Sequence, residues 1–289
     1  MPGATTFRLL REEDVPALHD LMETSFGDLD RRLGTKYAGA GPRPHQSRIR
    51  FGRLLASDPD GCWVAEREGA LIGCACGILR EGVWGLSMFI VSPAAQSAGV
   101  GRELLRRAWS YGEGSRGQII LASRDSRAMA AYSRLGLTLH PCVLAAGPVR
   151  AASPPPDVRP GTAEDLALTE AVDRAVRGAA HGEDILAMVE GGATLLVAPE
   201  RGYVVVLGGT VRLLAAFDEP AAADVLRAAL AHAAADRADG HVEWISSRQS
   251  WAVPVCLDAG LELRTTCGPV FTGGDVGPFR PYLPSGAYL

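Results

Sequence analysis

Phe89-Ile90-Val91-Ser92-Pro93-Ala94-Ala95-Gln96-Ser97-Ala98-Gly99-Val100-Gly101-Arg102 is the stretch on which the reading of this chain turns. It begins as the end of an apolar strand (Val83 to Val91), breaks at Ser92-Pro93, and passes through Gln-x-x-Gly-x-Gly into a helix, Val100 to Tyr111. Glycine takes positive φ without steric cost, so successive backbone N–H groups can face inward at the positive end of the helix dipole. A phosphate or pyrophosphate fits such a cradle. Two other phosphate loops are excluded. The run Gly99 to Leu104 lacks the third glycine of the dinucleotide fingerprint and follows a meander, and no Gly-Lys-Ser or Gly-Lys-Thr marks a nucleoside triphosphate loop.

Working outward, the first half predicts strand (Thr6 to Leu10), helix (Asp14 to Phe26), an inserted segment, and strand (Cys62 to Arg67). Turns at Glu68-Gly69 and Glu81-Gly82 then bound strands Leu71 to Leu79 and Val83 to Val91. After the helix come strand (Gln118 to Ser123), helix (Ser126 to Leu135) and a strand from Leu137. The order specifies a mixed-sheet α/β fold. The inserted segment, Gly27 to His45 with a helix at Gln46 to Ala56, reads equally as a substrate lid or a plain surface loop.

The same unit occurs twice. Phe7-Arg8 through Glu13-Asp14-Val15 matches Val158-Arg159 through Glu164-Asp165-Leu166, and Ala122-Ser123-Arg124 through Gly136-Leu137 aligns to Ser246-Ser247-Arg248 through Gly260-Leu261. Between the copies Pro154-Pro155-Pro156 favours an extended linker. The expected domains are residues 1–147, a Pro-rich linker at 148–157, and residues 158–289.

A length of 289 residues with 47% hydrophobic and 21% charged residues supports ordinary cores and excludes disorder. With 29 basic against 33 acidic residues, nothing points to nucleic acid or an anionic membrane as partner. No apolar run approaches the ~20 residues of a membrane span, and Met1 to Glu13 is too charged for a signal peptide, so a cytoplasmic location is expected. Six cysteines without a Cys-x-x-Cys pair argue against a disulfide scaffold or zinc. Cys74 and Cys76, two apart on one strand, read as core, and no metal is expected.

The loop, together with Asp125, Ala128 and the run Tyr132-Ser133-Arg134-Leu135-Gly136-Leu137, resembles the GNAT superfamily of acetyl-CoA-dependent N-acetyltransferases. The likeness covers the first half by element order and the second by its ends, so the chain resembles a tandem GNAT protein. That resemblance implies that Gln96, Ser97, Ala98, Gly99, Val100, Gly101 and Arg102 hold the pyrophosphate of acetyl-CoA. It implies that the backbone of Phe89, Ile90 and Val91 pairs with the pantetheine arm, that the Phe89 N–H polarises the acetyl carbonyl, and that Tyr132 is the general acid. Asp125 stands where the family commonly has Asn, which puts its cofactor contact in question. Arg106 and Arg107 read as a solvated helix face.

Acyl transfer also needs a neutral amine. The strand Val83 to Val91 holds no Glu, so Glu81 just before it, His45, or water ordered by Ser87 are the candidates for accepting the amine's proton. In the second copy Asp218-Glu219-Pro220 replaces the glycine loop and Cys256 replaces Tyr132, so that copy is expected to be degenerate, with Trp251, His181 and the tail Gly277 to Leu289 as pocket candidates. The implied activity is acetyl transfer to the amine of a small molecule. The alternatives are a protein or peptide N-acetyltransferase and a noncatalytic acyl-CoA sensor.

Overall fold

The computed structural model describes residues 3–34, 43–150 and 153–289. The expected lid and linker extend over 35–42 and 151–152, which lie outside the described residues. The chain divides into two compact units, one running to Arg116 and including Leu289, the other from Gly117 to Tyr288.

The first unit runs β1 (Thr5–Leu9), α1 (Val15–Leu33), α2 (Pro44–Ser57), β2 (Cys62–Arg67), β3 (Ala70–Arg80), β4 (Val83–Val91) and α3 (Val100–Tyr111). Strands β1 to β4 pair antiparallel in chain order. The two hairpins close through Glu68-Gly69 (φ 52 and 79) and Glu81-Gly82 (φ 46 and 82). Positive φ at both central residues is what a two-residue turn needs to match strand twist. Helix α1 extends past the expected Phe26 to Leu33. Gly27 is tolerated because Arg32 bridges to Asp28 at 2.9 Å one turn back, and Gly34 at φ 62 ends the helix as a left-handed cap.

Cys62, Cys74 and Cys76 are fully buried. Cys62 lies opposite Cys76, and the Cys74 and Cys76 sulfurs are 3.5 Å apart. Contact with Cys76 and burial push the Cys62 thiol up, so it packs as a small neutral hydrophobe. Asp58, also fully buried, ties the end of α2 to the sheet. One carboxylate oxygen accepts the Leu79 N–H (2.8 Å) and the Tyr111 hydroxyl (3.1 Å); the other accepts Arg80 Nη1 (2.7 Å) and the Ser57 hydroxyl (2.5 Å).

The second unit begins with β5 (Gly117–Leu121), α4 (Ser126–Arg134), β6 (Thr138–His140) and β7 (Val143–Pro148). It continues with β8 (Arg159–Pro160), α5 (Leu166–Val176), α6 (Glu183–Glu190), β9 (Thr194–Ala198), β10 (Gly202–Leu207), β11 (Thr210–Ala216) and α7 (Glu219–Ala235). Then follow β12 (Asp239–Ile245), α8 (Ala252–Asp258), β13 (Glu262–Arg264), β14 (Val270–Gly274) and β15 (Tyr282–Leu283). Helix α7 buries Ala222, Val225, Leu226 and Ala229 in the core with Val204, Leu214 and Val242. The sheet order is β13-β7-β12-β11-β10-β9-β8, mixed because β11 and β12 run parallel.

The sequence repeat has a structural counterpart. Arg8 grips Asp14 through two bonds of 2.6 and 2.8 Å, and Arg159 grips Asp165 through two of 2.9 and 2.7 Å. In each copy the same carboxylate also accepts the N–H three residues before it, of Arg11 or Thr162. Each pair locks a first strand to the turn that opens a first helix, and each holds its carboxyl below the usual range through the arginine bond.

The copies exchange their last strands. β7, from the first copy, pairs antiparallel with β12 and β13 of the second, while β14, from the second, pairs with β5 and β6 of the first. His140 on β6 and Thr272 on β14 add a 2.8 Å hydrogen bond. The Pro-rich stretch therefore separates the sequence copies but lies within one compact unit. Residues 1–147 or 158–289 produced alone are expected not to give a folded protein by circular dichroism, because each lacks a sheet-closing strand, whereas co-expression should give a soluble pair. Asp58→Ala should cost about 3–5 kcal/mol in urea unfolding by leaving Arg80 buried without its carboxylate.

Candidate active site

The loop before α3 has the backbone that its glycines foretell. Ser97 (φ 65) and Gly99 (φ 81) are both left-handed, and Gly99 caps α3 with no side chain bonded to its first turn. Ser97, Ala98 and Gly99 are exposed, and the N–H groups of Val100 to Arg102 stand at the positive end of the helix dipole. Gln96 braces the loop, its Nε2 donating to the Val91 carbonyl at 3.1 Å. A Cβ on Gly101 would lie 3.3 Å from both Phe89 and Val91, so the missing side chain lets α3 rest directly on β4. Arg102 is exposed on the first turn. Arg106 and Arg107 both pair with Glu103, at 2.7 and 2.8 Å, and hold its carboxyl down at about 2. Arg107 also lies over Trp63, 4.5 Å from the ring centre. These two arginines serve the helix surface.

Strand β4 carries a bulge. Met88 lies opposite Cys76 and Leu86 opposite Gly77, leaving Ser87 as the extra residue. Arg50, half-buried on α2, donates through Nη2 to the Ser87 carbonyl and to its hydroxyl at 3.0 Å. The sequence reading missed Arg50, because no spacing signal connects α2 to a bulge in β4. Two residues before Ser87, a Cβ on Gly85 would meet the side chain of Leu289. Glu81 occupies the turn at the other end of β4, six residues before the bulge. At ~3.4 Å per residue the strand separates it from the bulge by about 20 Å. His45 is exposed in the first turn of α2.

In the second unit α4 carries Asp125 and Tyr132 at opposite ends. Tyr132 is buried, edge-on to Phe271 of β14 with ring centres 5.5 Å apart. Burial first, and then the charge of Asp125, pushes its hydroxyl pKa upward. The Asp125 carboxylate caps α4 by accepting the Arg127 N–H (2.9 Å) and pairs with the Arg127 guanidinium (2.6 Å). Its side chain is thus engaged within the helix.

The second copy uses the corresponding helix start differently. Asp218 accepts the Ala221 N–H at 2.7 Å, Pro220 has no N–H, and Glu219 adds a second negative charge paired with Arg280. The α7 N-terminus is closed to a phosphate. Beside it, β15 pairs with β11 at Leu214↔Leu283 and Ala215↔Tyr282, and the Ala216 N–H donates to Pro281. A later segment of the chain, Pro281 to Leu283, thus pairs along β11 next to the start of α7. Cys256 is buried, with its thiol pushed up to about 12 by burial. His181 bonds through Nδ1 to Asp173 (2.8 Å), whose other oxygen accepts the Tyr203 hydroxyl (2.5 Å). Both His181 and Trp251, the latter packed on the α7 core, are packing residues. A separate open cavity of about 640 Å³ in this unit, lined by Met129, Leu139, Cys142, Val253 and Cys267 among others, is largely apolar. Burial pushes its Cys142 thiol up to about 11.

Residues 17–137 match the family described as the acetyltransferase (GNAT) family. Among solved structures, the chain is similar to a candidate acetyltransferase from Pyrococcus horikoshii at 17% identity, with a TM-score of 0.77 over 98% of this chain and 95% of that one. It is also similar to a GCN5-related N-acetyltransferase from Kribbella flavida (15% identity, 93% and 70% coverage, TM-score 0.49). A candidate acetyltransferase from Salmonella typhimurium, solved with its cofactor acetyl-CoA, matches at 18% identity (47% and 81% coverage, TM-score 0.39). No curated protein matches the sequence. From the open α3 terminus and the closed α7 terminus, calorimetric titration with CoA is expected to fit one site per chain. Gly99→Glu, which strains a left-handed position and brings negative charge to the cradle, should weaken that binding at least 100-fold.

Proposed function

We propose that residues 17–137, which match the acetyltransferase (GNAT) family, form an acetyltransferase domain and that the protein transfers the acetyl group of acetyl-CoA to the primary amine of a small molecule, by direct attack on the thioester. The observation that carries this reading is the uncapped, glycine-bearing start of α3 resting on β4, set against its Asp-capped counterpart at α7. The inserted helix α2 and the chain's tail residue Leu289, both against β4, favour a small acceptor over a protein surface. In this reading acetyl-CoA is the donor substrate: the left-handed loop and Arg102 at the start of α3 suit a pyrophosphate, and the backbone of Phe89, Ile90 and Val91 pairs with its extended amide-bearing arm.

In this mechanism Gln96 to Arg102 hold the donor by its phosphates, Gln96 acting by bracing the loop. The Phe89 N–H stabilises charge developing on the acetyl oxygen. The acceptor nitrogen forms its bond to the acetyl carbon as the carbon–sulfur bond breaks. Tyr132 gives its hydroxyl proton to the leaving sulfur, and the proton shed by the amine passes to water near Ser87. Holding amine and thioester side by side supplies much of the rate, so no strong base is required. The upward shift of the Tyr132 pKa has a clear sign: its acid form persists at alkaline pH.

Tyr132→Phe is expected to lower kcat about 100-fold in a CoA-release assay with an amine panel, with the Kd for acetyl-CoA within about twofold of wild type. Full activity of both this variant and Gly99→Glu would sink the assignment of the site. In the wild type, Tyr132 should cause no alkaline decline of kcat below pH about 10, the ordinary phenol value. Such a decline, absent in Tyr132→Phe, would show the opposite sign.

A further inference from the structure

We propose that the open cavity lined by α4 and α8 is a second binding site, one that takes a neutral aromatic small molecule. This goes beyond the acetyltransferase reading and does not depend on it: every described residue lining the cavity belongs to the second compact unit, and none lies in the loop before α3. Its volume of about 640 Å³ falls in the range of ~300–1,000 Å³ usual for small-molecule pockets. The site is a product of the duplication. Met129 on α4 and Val253 on α8, both in the lining, are equivalent positions of the aligned segments that begin at Ala122 and Ser246. Val143 and Ile245, also in the lining, are paired across β7 and β12. The exchanged strand therefore supplies a wall that one copy by itself would lack.

The chemistry of the lining selects the ligand. Among the described residues that line the cavity none is charged at neutral pH. Burial raises the Cys142 thiol to about 11 and pushes the Cys267 thiol up as well, so both stay protonated. His140, between the lining residues Leu139 and Pro141, has its pKa lowered by burial and then by the charge of Arg248, which keeps the ring neutral. A charged ligand would lose its water here without gaining a counter-ion. Met129, Cys142 and Cys267 bring three sulfur atoms to the lining, and sulfur packs favourably against aromatic rings. Leu139, 41% exposed, is apolar surface that a ring would cover, while the hydroxyls of Ser247, Ser250 and Thr265 can bond one polar substituent. The wall is also strained. Trp244 packs with Cys142 on the buried cluster of Leu144, Ala146 and Cys267, and it sits at φ 54 where β12 shifts register against β7 between Val242 and Ile245. Its backbone N–H donates to Cys267 Sγ at 3.3 Å. A bulky residue held left-handed beside a bulge marks backbone that serves more than the fold.

The test titrates the full chain calorimetrically at neutral pH, with and without saturating CoA, using probes that share a two-ring skeleton. These are 4-phenylphenol, its saturated counterpart 4-cyclohexylcyclohexanol, biphenyl-4-carboxylate and biphenyl-4-methylammonium. 4-Phenylphenol is expected to bind at one site per chain, with a Kd that CoA changes by less than about twofold. It should bind about tenfold or more tighter than either charged probe, and about threefold or more tighter than the saturated alcohol. Val253→Trp, which fills the cavity, and Leu139→Lys, which puts a charge on its exposed wall, should each weaken that binding about tenfold or more. Thermal melting by circular dichroism reports whether each variant is folded, and the exposed Leu139 decides the matter if Val253→Trp is not. A Kd for 4-phenylphenol above about 1 mM overturns the inference. So does displacement of the probe by CoA, which would put it in the donor site. Equal or tighter binding of a charged probe or of the saturated alcohol overturns it too, as does unchanged affinity in folded Leu139→Lys. None of these outcomes touches the acetyltransferase reading, which CoA release alone decides.

Discussion

Helix α3 touches β4 where Gly101 has no side chain, with Phe89 and Val91 filling the space a Cβ would take. Everything proposed for the donor depends on that approach. The helix is anchored by buried Val100, Leu104, Leu105 and Ala108, and a Cβ on Gly73 of β3 would in turn meet Leu104. Small residues at these crossings set the depth of the helix, and the depth sets where its free N–H groups stand relative to the edge of β4. Gln96 then clamps the intervening loop back onto Val91.

The second copy shows how little must change to close such a site. Its scaffold is retained down to the bidentate Arg159–Asp165 pair that duplicates Arg8–Asp14. The differences concentrate at the start of one helix and one strand edge: Asp218 answers a helix N–H internally, Pro220 removes another, and β15 satisfies the backbone of β11. Unpaired backbone groups are costly when buried, so a site that no longer receives a ligand tends to be filled from within.

Much of this was legible in the sequence because it is local. Strands β2 and β4 and helix α3 end where Gly, Pro and the apolar period place their ends, and the two Glu-Gly turns signal both hairpins. The phosphate-loop backbone follows from Gly99 and Gly101 themselves. What was not legible is non-local. An apolar run such as Val143 to Ala146 announces a strand but not its partner, and nothing in it says that β12 and β13 will flank it. The Arg50–Ser87 contact is likewise a product of tertiary packing between α2 and β4. Glu81 is a candidate by proximity in sequence to β4, and the structure places it in the turn at the far end of that strand from Ser87.

The traded strands tie each copy's sheet to the other copy. During synthesis β5 and β6 emerge with an unpaired edge that is completed only when Val270–Gly274 leaves the ribosome, so the sheet of the first copy waits for a strand of the second. A chain without its second copy would leave β5 and β6 with an open, sticky edge. Duplication here is a one-way step: once the halves share strands, side chains at a helix start can change freely while the backbone of either half cannot be lost.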